Sequence, residues 1–323
     1  MEKSDITFVG ALNYDVYVPH KNNHAETSSL SDEIELEIGG GAAITAIAMA
    51  TLGISPVVVG SVGKHSAIIT QEFDNVGISY HLKYHPELKA AMTVADHYAD
   101  GKKRYRANTI ANRLFTSENL REIYPHIKTS RMVMRTGYPW MPQIAGKPTA
   151  ELFNYARQHN VMTALDMSNP DSWEKRLLEE LISEVTPQID LLCANEKELH
   201  RLGRKSDEPL LDNSELEKYM VPERALEYAH RLIDRGVKIV NVHYGPLGTM
   251  IVTKNCYVHQ QPPETKGYIN PTGCGNLQNA GVIYSLLKED DLDSAAKFGN
   301  AMAVLRLSGT LFPTLNEVEQ NLQ

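Results

Sequence analysis

Short apolar runs alternate with stretches of helical period along most of this 323-residue chain. A strand covered on both faces is continuously apolar, whereas the helix that covers it is apolar on one side, so this alternation predicts βα units on a largely parallel sheet. Ile6–Gly10 reads as the first strand, followed by Pro56–Val59, Arg131–Met134, Met162–Asp166, Asp190–Cys193 and Lys238–Val242. Between them, Gly41–Leu52 is alanine-rich and apolar all round, with Gly53 as its stop. A helix with such small side chains is expected to lie deep and close to the sheet. Ala67–Val76, Ala225–Asp234, Leu277–Leu287 and Ser294–Leu305 are further helices.

Two segments break this rhythm. Asp32–Ile38 alternates charged and apolar residues, which is a strand with one wet face. Met92–Tyr105 reads as a hairpin around Ala99-Asp100-Gly101. Together they predict a small β-sheet projecting from the main domain. Two edge strands of the main sheet are the alternative, disfavoured because the charge sits on one face only.

Hydrophobic residues at 42% and charged residues at 22% exclude a largely disordered chain. With 32 basic against 40 acidic side chains, the formal charge of −8 argues against a protein that binds nucleic acid or anionic membranes. Cys193, Cys256 and Cys274 are far apart and form no C-x-x-C pair, so reduced thiols and a cytoplasmic setting are expected. The N-terminal run Ile6–Val9 is too short for a signal-peptide core, and no apolar stretch approaches the roughly 20 residues of a membrane span.

The sharpest motif is Asn270-Pro271-Thr272-Gly273-Cys274-Gly275-Asn276, which leads into a helix. Glycines there let several N–H groups converge, and the helix N-terminus adds about half a positive charge. That is a sensible hole for a phosphate or a developing oxyanion; a plain strand-to-helix turn is the alternative. Gly39-Gly40-Gly41-Ala42-Ala43 opens the alanine-rich helix, but Ile44 stands where a G-x-G-x-x-G fingerprint needs its last glycine. Gly60-Ser61-Val62-Gly63-Lys64-His65 imitates a Walker A loop without its spacing or its Ser/Thr. The sequence holds neither H-E-x-x-H nor a Cys/His cluster, so the histidines are expected to be scattered on the surface, and Cys274 has no identifiable histidine base.

Taken together, the motifs resemble the PfkB (ribokinase-like) family of sugar and nucleoside kinases over nearly the whole chain. The family's first signature looks like Gly39-Gly40 through Leu52-Gly53 to Gly60-Ser61-Val62-Gly63. The second, D-T/P-T-G-x-G-D before a helix with Ala-Gly, looks like Asn270 to Asn276 with Ala280-Gly281. N-x-x-E matches Asn195-Glu196-Lys197-Glu198, and the G-x-x-G nucleotide loop matches Gly245-Pro246-Leu247-Gly248.

The resemblance implies an α/β fold: a Rossmann-type, three-layer domain with a small β-sheet lid. Residues 1–12, 39–84 and 113–323 would form the nucleotide- and substrate-binding domain, and 13–38 with 85–112 the lid. It further implies ATP and Mg²⁺ as cofactors, a sugar or nucleoside as substrate, and a homodimer through the lid, whose exposed apolar face would be Ile34, Leu36, Ile38 and Met92–Tyr98. The amides of Gly273, Cys274 and Gly275 would hold the transferring phosphoryl group. Thr272, Gly245 and Gly248 would contact the nucleotide, and Asn195 with Glu198 would organise the metal through water. Asn13, Asp15, Gly39, Gly40, Gly41 and Ile44 would line the substrate site; read without the family, Asn13 and Asp15 suit a turn with Asx hydrogen bonds.

The departures are as informative. The second signature normally ends in an aspartate that takes the proton from the attacking hydroxyl; here it is Asn276, which cannot store a proton at pH 7. A general base is worth about 10²–10⁴ in rate. Asn270 replaces the signature's first acid, Ile44 a substrate-contacting asparagine, and His65 an aspartate near the end of the first signature. The expectation is therefore a weakened kinase, or a pseudokinase that binds a sugar or nucleotide without turnover. Arg106 and Arg135 read as ordinary surface or salt-bridged arginines, with contact to a phosphorylated ligand as the alternative.

Overall fold

The structure, a computed structural model, describes residues 4–20, 34–98, 103–168, 175–212, 215–216, 219–264 and 272–322. Among these residues nine strands form the large sheet: β1 (Ile6–Val9), β4 (Pro56–Lys64), β5 (Ser79–Lys89), β8 (Met132–Arg135), β9 (Met162–Asp166), β10 (Leu191–Asn195), β11 (Ile239–His243), β12 (Thr249–Thr253) and β13 (Tyr257–Gln260). Their order is β13-β12-β11-β10-β9-β8-β1-β4-β5. Every pair from β11 through to β5 is parallel, and β12 and β13 add an antiparallel edge.

Alternate side chains of the parallel strands enter two separate cores, as a sheet covered on both faces requires. Phe8, Met132, Met134, Ala164, Leu191 and Cys193 point to one side, with the helices Gly41–Thr51, Cys274–Leu287 and Leu292–Leu307. Val9, Val133, Leu165, Leu192 and Ala194 point to the other, with Lys147–Gln158, Glu196–Gly203 and Pro222–Asp234. The result is three layers. The alanine-rich helix is the deepest: Ala42, Ala43, Ala46 and Ala48 are fully buried. It packs against β1, β4 and the Cys274–Leu287 helix, which explains why it is apolar all round.

A second sheet of four strands has the order β3-β2-β6-β7: β3 (Glu35–Gly39), β2 (Asn13–Pro19), β6 (Met92–His97) and β7 (Lys103–Asn108). The two segments that broke the βα rhythm are therefore in a separate sheet. β6 and β7 pair antiparallel as a hairpin, although the expected turn Ala99-Asp100-Gly101 lies outside the described residues, as do Asp32 and Glu33. β2 was not anticipated: Asn13 and Asp15 sit on a strand, not in a turn. β5 was also missed, because its side chains are mostly exposed at the sheet edge and carry no apolar run. Lys89 pairs with Lys64, so the expected boundary at residue 85 falls inside a strand of the large sheet. No helix among the described residues is long and apolar enough to cross a membrane.

Candidate active site

In a parallel sheet, all strand carboxyl ends open on the same edge, and ligands favour the point where strand order reverses. Here β1 lies between β4, which follows it, and β8. Gly10, just past β1, leaves no room for a side chain: a Cβ there would lie 2.9 Å from that of Ala42. The glycine-opened Gly41–Thr51 helix therefore starts directly over this crevice. A Cβ on Gly41 would be 3.2 Å from Thr136 and 3.3 Å from Asn276 Nδ2, so both glycine clusters meet here.

Gly273 takes the left-handed conformation (φ 81°), which only glycine adopts without strain, and turns the chain into the Cys274–Leu287 helix. That helix starts three residues earlier than its apolar period suggested. Its first internal bond runs from Leu277 N–H to Gly273 O at 3.0 Å, which leaves the N–H groups of Cys274, Gly275 and Asn276 ahead of the ladder. This is the backbone geometry expected of an anion hole. Asn270 and Pro271 lie outside the described residues. Arg306 braces the turn: its Nε donates to Thr272 O at 2.8 Å, and Nη2 pairs with Glu37 of β3 at 2.7 Å. Ile44 is buried with its Cγ2 near Gly273, and packs the turn with hydrocarbon.

On the second sheet, Asn13 Nδ2 donates to Asp15 Oδ1 at 2.6 Å and to Thr93 Oγ1 at 3.3 Å. Both side chains lie against Gly39, and Asn13 also against Gly40: a Cβ on Gly39 would fall 2.4 Å from Asp15 Cγ, so only glycine permits this approach. Burial pushes the Asp15 carboxyl up to about 6, and the Glu37 charge adds to the effect against the hydrogen bonds from Thr93 and Asn13. Asp15, Glu37, Ile38, Ile44, Thr272, Gly273 and Arg306 line one narrow cleft. His65 stands apart from it in a left-handed conformation (φ 67°), its carbonyl accepting from Tyr14 Oη at 2.8 Å.

Asn195 and Glu198 form a capping box. Glu198 N–H donates to Asn195 Oδ1 at 2.8 Å, and Asn195 N–H donates to Glu198 Oε2 at 2.9 Å. The motif is therefore structural in its first function, yet it holds Glu198 buried beside Asp166 at the end of β9 and His243 at the end of β11. One ligand atom from each of these three lies within 4.8 Å of the others. Burial raises both carboxyls, with the Asp166 charge raising Glu198 further, and burial holds the His243 imidazole down at about 4, hence neutral. These residues fit a divalent cation, which would reverse the cost of two buried carboxylates.

A cavity of about 660 Å³ lies beyond, lined by His243, Gly245, Gly248, Cys274, Gly275 and Val304 among others. Gly245–Leu247 forms one tight turn, closed by Tyr244 N–H to Gly248 O at 2.7 Å. The G-x-x-G loop and the anion turn thus share one chamber.

Of the predicted residues, the structure brings Gly41 to Asn276, Asn13 and Asp15 to Gly39 and Gly40, and Gly245 and Gly248 to Cys274 and Gly275. Asp166 and His243 were missed. Neither sits in a motif; only the register, with Asn195 opposite His243 and Cys193 opposite Asp166, makes them neighbours. His243 also corrects the reading of scattered surface histidines, and places an imidazole beside Gly275 in the turn that carries Cys274. Arg135 is neither exposed nor salt-bridged: it is fully buried among the carbonyls of Val9, Thr136, Tyr138 and Met141. Arg106 pairs with Asp96 within the second sheet at 2.8 Å.

A parallel sheet with glycine-opened helices at its switch point, and a second sheet bearing polar side chains over it, defines an α/β fold of the kind that takes ligands at that edge. More narrowly, the chain belongs to the pfkB family carbohydrate kinases, whose pattern matches residues 3–311. A stretch of 75 residues is 36% identical to an uncharacterized sugar kinase of Archaeoglobus fulgidus, covering 23% of this chain and 30% of that one. The 5-dehydro-2-deoxygluconokinase of Listeria monocytogenes is 22% identical over 220 residues, 67% of this chain and 62% of its own. These alignments span less than two thirds of either relative. The Arabidopsis thaliana ribokinase complexed with ribose and ATP superposes with a TM-score of 0.76 at 19% identity, covering 100% of this chain and 99% of that chain. The fold is ribokinase-like.

Proposed function

We propose that the protein transfers the terminal phosphoryl group of ATP to a hydroxyl of a sugar or nucleoside, at a rate limited by Asn276. The observation that supports this reading most is the convergence of three independent parts: the backbone anion hole, the G-x-x-G chamber, and the Asn13–Asp15 pair over Gly39. Phosphoryl transfer rests chiefly on positioning and on neutralising charge, so parts built from backbone retain most of their use. Asn13 and Asp15 would orient the acceptor hydroxyl. The N–H groups of Cys274, Gly275 and Asn276 would hold the transferring phosphoryl oxygens, and Gly245 and Gly248 would flank the nucleotide. Asp166 and Glu198 would hold a divalent cation, Mg²⁺ by family resemblance, which supplies charge neutralisation at the phosphates. The Asn276 amide would accept a hydrogen bond from the hydroxyl without removing its proton.

The second sheet, β2, β3, β6 and β7, would act as the lid, in a cytoplasmic homodimer. Leu36, Val16 and Val94 stand in register on three neighbouring strands, with Leu36 exposed and the other two half-buried. Ile34 and Met92 are exposed as well, while Ile38 is buried and takes no part.

The test is Asn276→Asp, assayed for sugar or nucleoside phosphate formation over a panel of acceptors. A gain of about 10²–10⁴-fold is expected with the true acceptor; no gain with any acceptor that binds counts against the reading. Asn276 itself favours a second reading, a binding module without turnover. Thermal shifts by ATP–Mg, adenosine, ribose or fructose, with no product from either form, would select it.

A further inference from the structure

We propose that Asp166, Glu198 and His243 form a mixed oxygen–nitrogen site that takes a transition-metal dication of the Mn²⁺, Co²⁺ or Zn²⁺ class in preference to Mg²⁺. This rests on and deepens the proposed function, which needs a cation near the phosphates, by adding a nitrogen ligand to the two carboxylates.

Three adjacent parallel strands deliver the three groups. Asp166 ends β9, Glu198 sits in the first turn after β10, and His243 ends β11 directly opposite Asn195. Their ligand atoms lie within 4.8 Å of one another. Three ligands at about 2.0–2.2 Å from one ion stand about 3.0–3.8 Å apart, so the cluster closes on a metal when its widest pairs shorten by up to about 1–2 Å.

Glu198 spends one carboxylate oxygen, Oε2, on the helix cap. Asp166 and Glu198 are 5% and 3% exposed, and among the described residues no lysine or arginine pairs with either. His243 Nε2 is buried and makes no hydrogen bond among the described residues. A buried imidazole nitrogen with no partner is costly, and metal ligation is the interaction that would repay it. The ring is also held in place: a Cβ on Gly275 would be 3.1 Å from its Cε1, so the anion turn packs against it with glycine alone. The ligand form of histidine is the neutral one, the form its burial enforces.

The donor set decides the metal. Mg²⁺ demands an octahedron of oxygens and keeps its waters, whereas imidazole nitrogen suits the first-row transition metals. Two carboxylates and one imidazole leave further positions open to water or to phosphate oxygens.

Visible absorption during Co²⁺ titration of the untagged, metal-free chain tests this without nucleotide or turnover. One Co²⁺ per chain is expected to bind with ligand-field bands, and a hundredfold excess of Mg²⁺ should leave it in place. His243→Asn should weaken Co²⁺ binding at least tenfold and leave the smaller affinity for Mg²⁺ unchanged, while Glu198→Gln should weaken both. Because the chain has 12 histidines, the His243→Asn comparison identifies the one involved. Should that variant not fold, X-ray absorption at the cobalt edge of the wild-type protein must show an imidazole scatterer. Equal Co²⁺ affinity in His243→Asn, displacement by equimolar Mg²⁺, or an all-oxygen shell overturns the proposal. Cobalt binding without any phosphorylated product would refute the kinase reading alone; turnover with Mg²⁺ and no cobalt site would refute this inference alone.

Discussion

Replacing Asp15 by asparagine should make the ligand-free protein more stable and its sugar or nucleoside complex weaker. Burial raises the Asp15 carboxyl from 3.8 to about 6, so the fold favours the protonated acid. The sign follows: stability from this group is fully present below pH 3.8 and is lost as pH rises through about 6. Each pH unit of that gap is worth about 1.4 kcal/mol, so holding the carboxylate ionised at pH 7 costs roughly 3 kcal/mol. Asparagine keeps an acceptor oxygen for Asn13 Nδ2, now at 2.6 Å, and carries no charge. Asp15→Asn should therefore gain up to about 3 kcal/mol at pH 7, near 4 °C in Tm for a chain this long, and gain nothing at pH 3.5. Loss of a charged acceptor for a substrate hydroxyl should cost about 1.5–3 kcal/mol of binding, or roughly 10- to 150-fold in Kd. Calorimetric unfolding of both proteins between pH 3.5 and 8, with titration of the acceptor found in the panel, measures both effects. A variant that is neutral or destabilised at pH 7, or whose difference from wild type does not shrink towards pH 3.5, refutes the claim that Asp15 is held ionised at the fold's expense.

Other predictions concern the links between the sheets and between copies. Arg306→Met strands Glu37 without its partner and Thr272 O without its donor, and should cost about 3–5 kcal/mol in urea unfolding together with nucleotide affinity; unchanged affinity would mean that the anion turn does not depend on this brace. Leu36→Asp should convert a lid-paired dimer to a monomer by light scattering, with little change in Tm, because Leu36 is 55% exposed in the single chain. A wild-type monomer at high concentration would contradict the dimer directly.

The sequence showed the layers well because burial on both faces leaves a local trace. Continuous apolar runs marked β1, β8, β9, β10 and β11, and the alanine-rich stretch of residues 42–48 announced a helix pressed between two neighbours. β5 and β2 left no such trace. One is an exposed edge strand, and the other mixes asparagine and aspartate with aromatics because half of it faces a cleft. The glycine motifs could be read for the same reason as the core strands, since a left-handed or crowded backbone admits only glycine, as at Gly273 and Gly39. The N-x-x-E motif carried two meanings at once, a capping box and a buried carboxylate, and its spacing alone did not separate them.

What the amino-acid order determined by itself was whatever depends on neighbours a few positions away: strand and helix periods, the glycine turns, the helix caps, and the replacement of an acid by Asn276. What the tertiary structure alone decided was which distant residues share a space. Strand register brought Asp166, Glu198 and His243 within 4.8 Å, and packing brought Arg306 to Glu37 across 269 positions. Desolvation depends on everything around a group and on nothing in its immediate sequence. The raised Asp15 and Glu198 carboxyls and the neutral His243 therefore became visible only once the chain was folded.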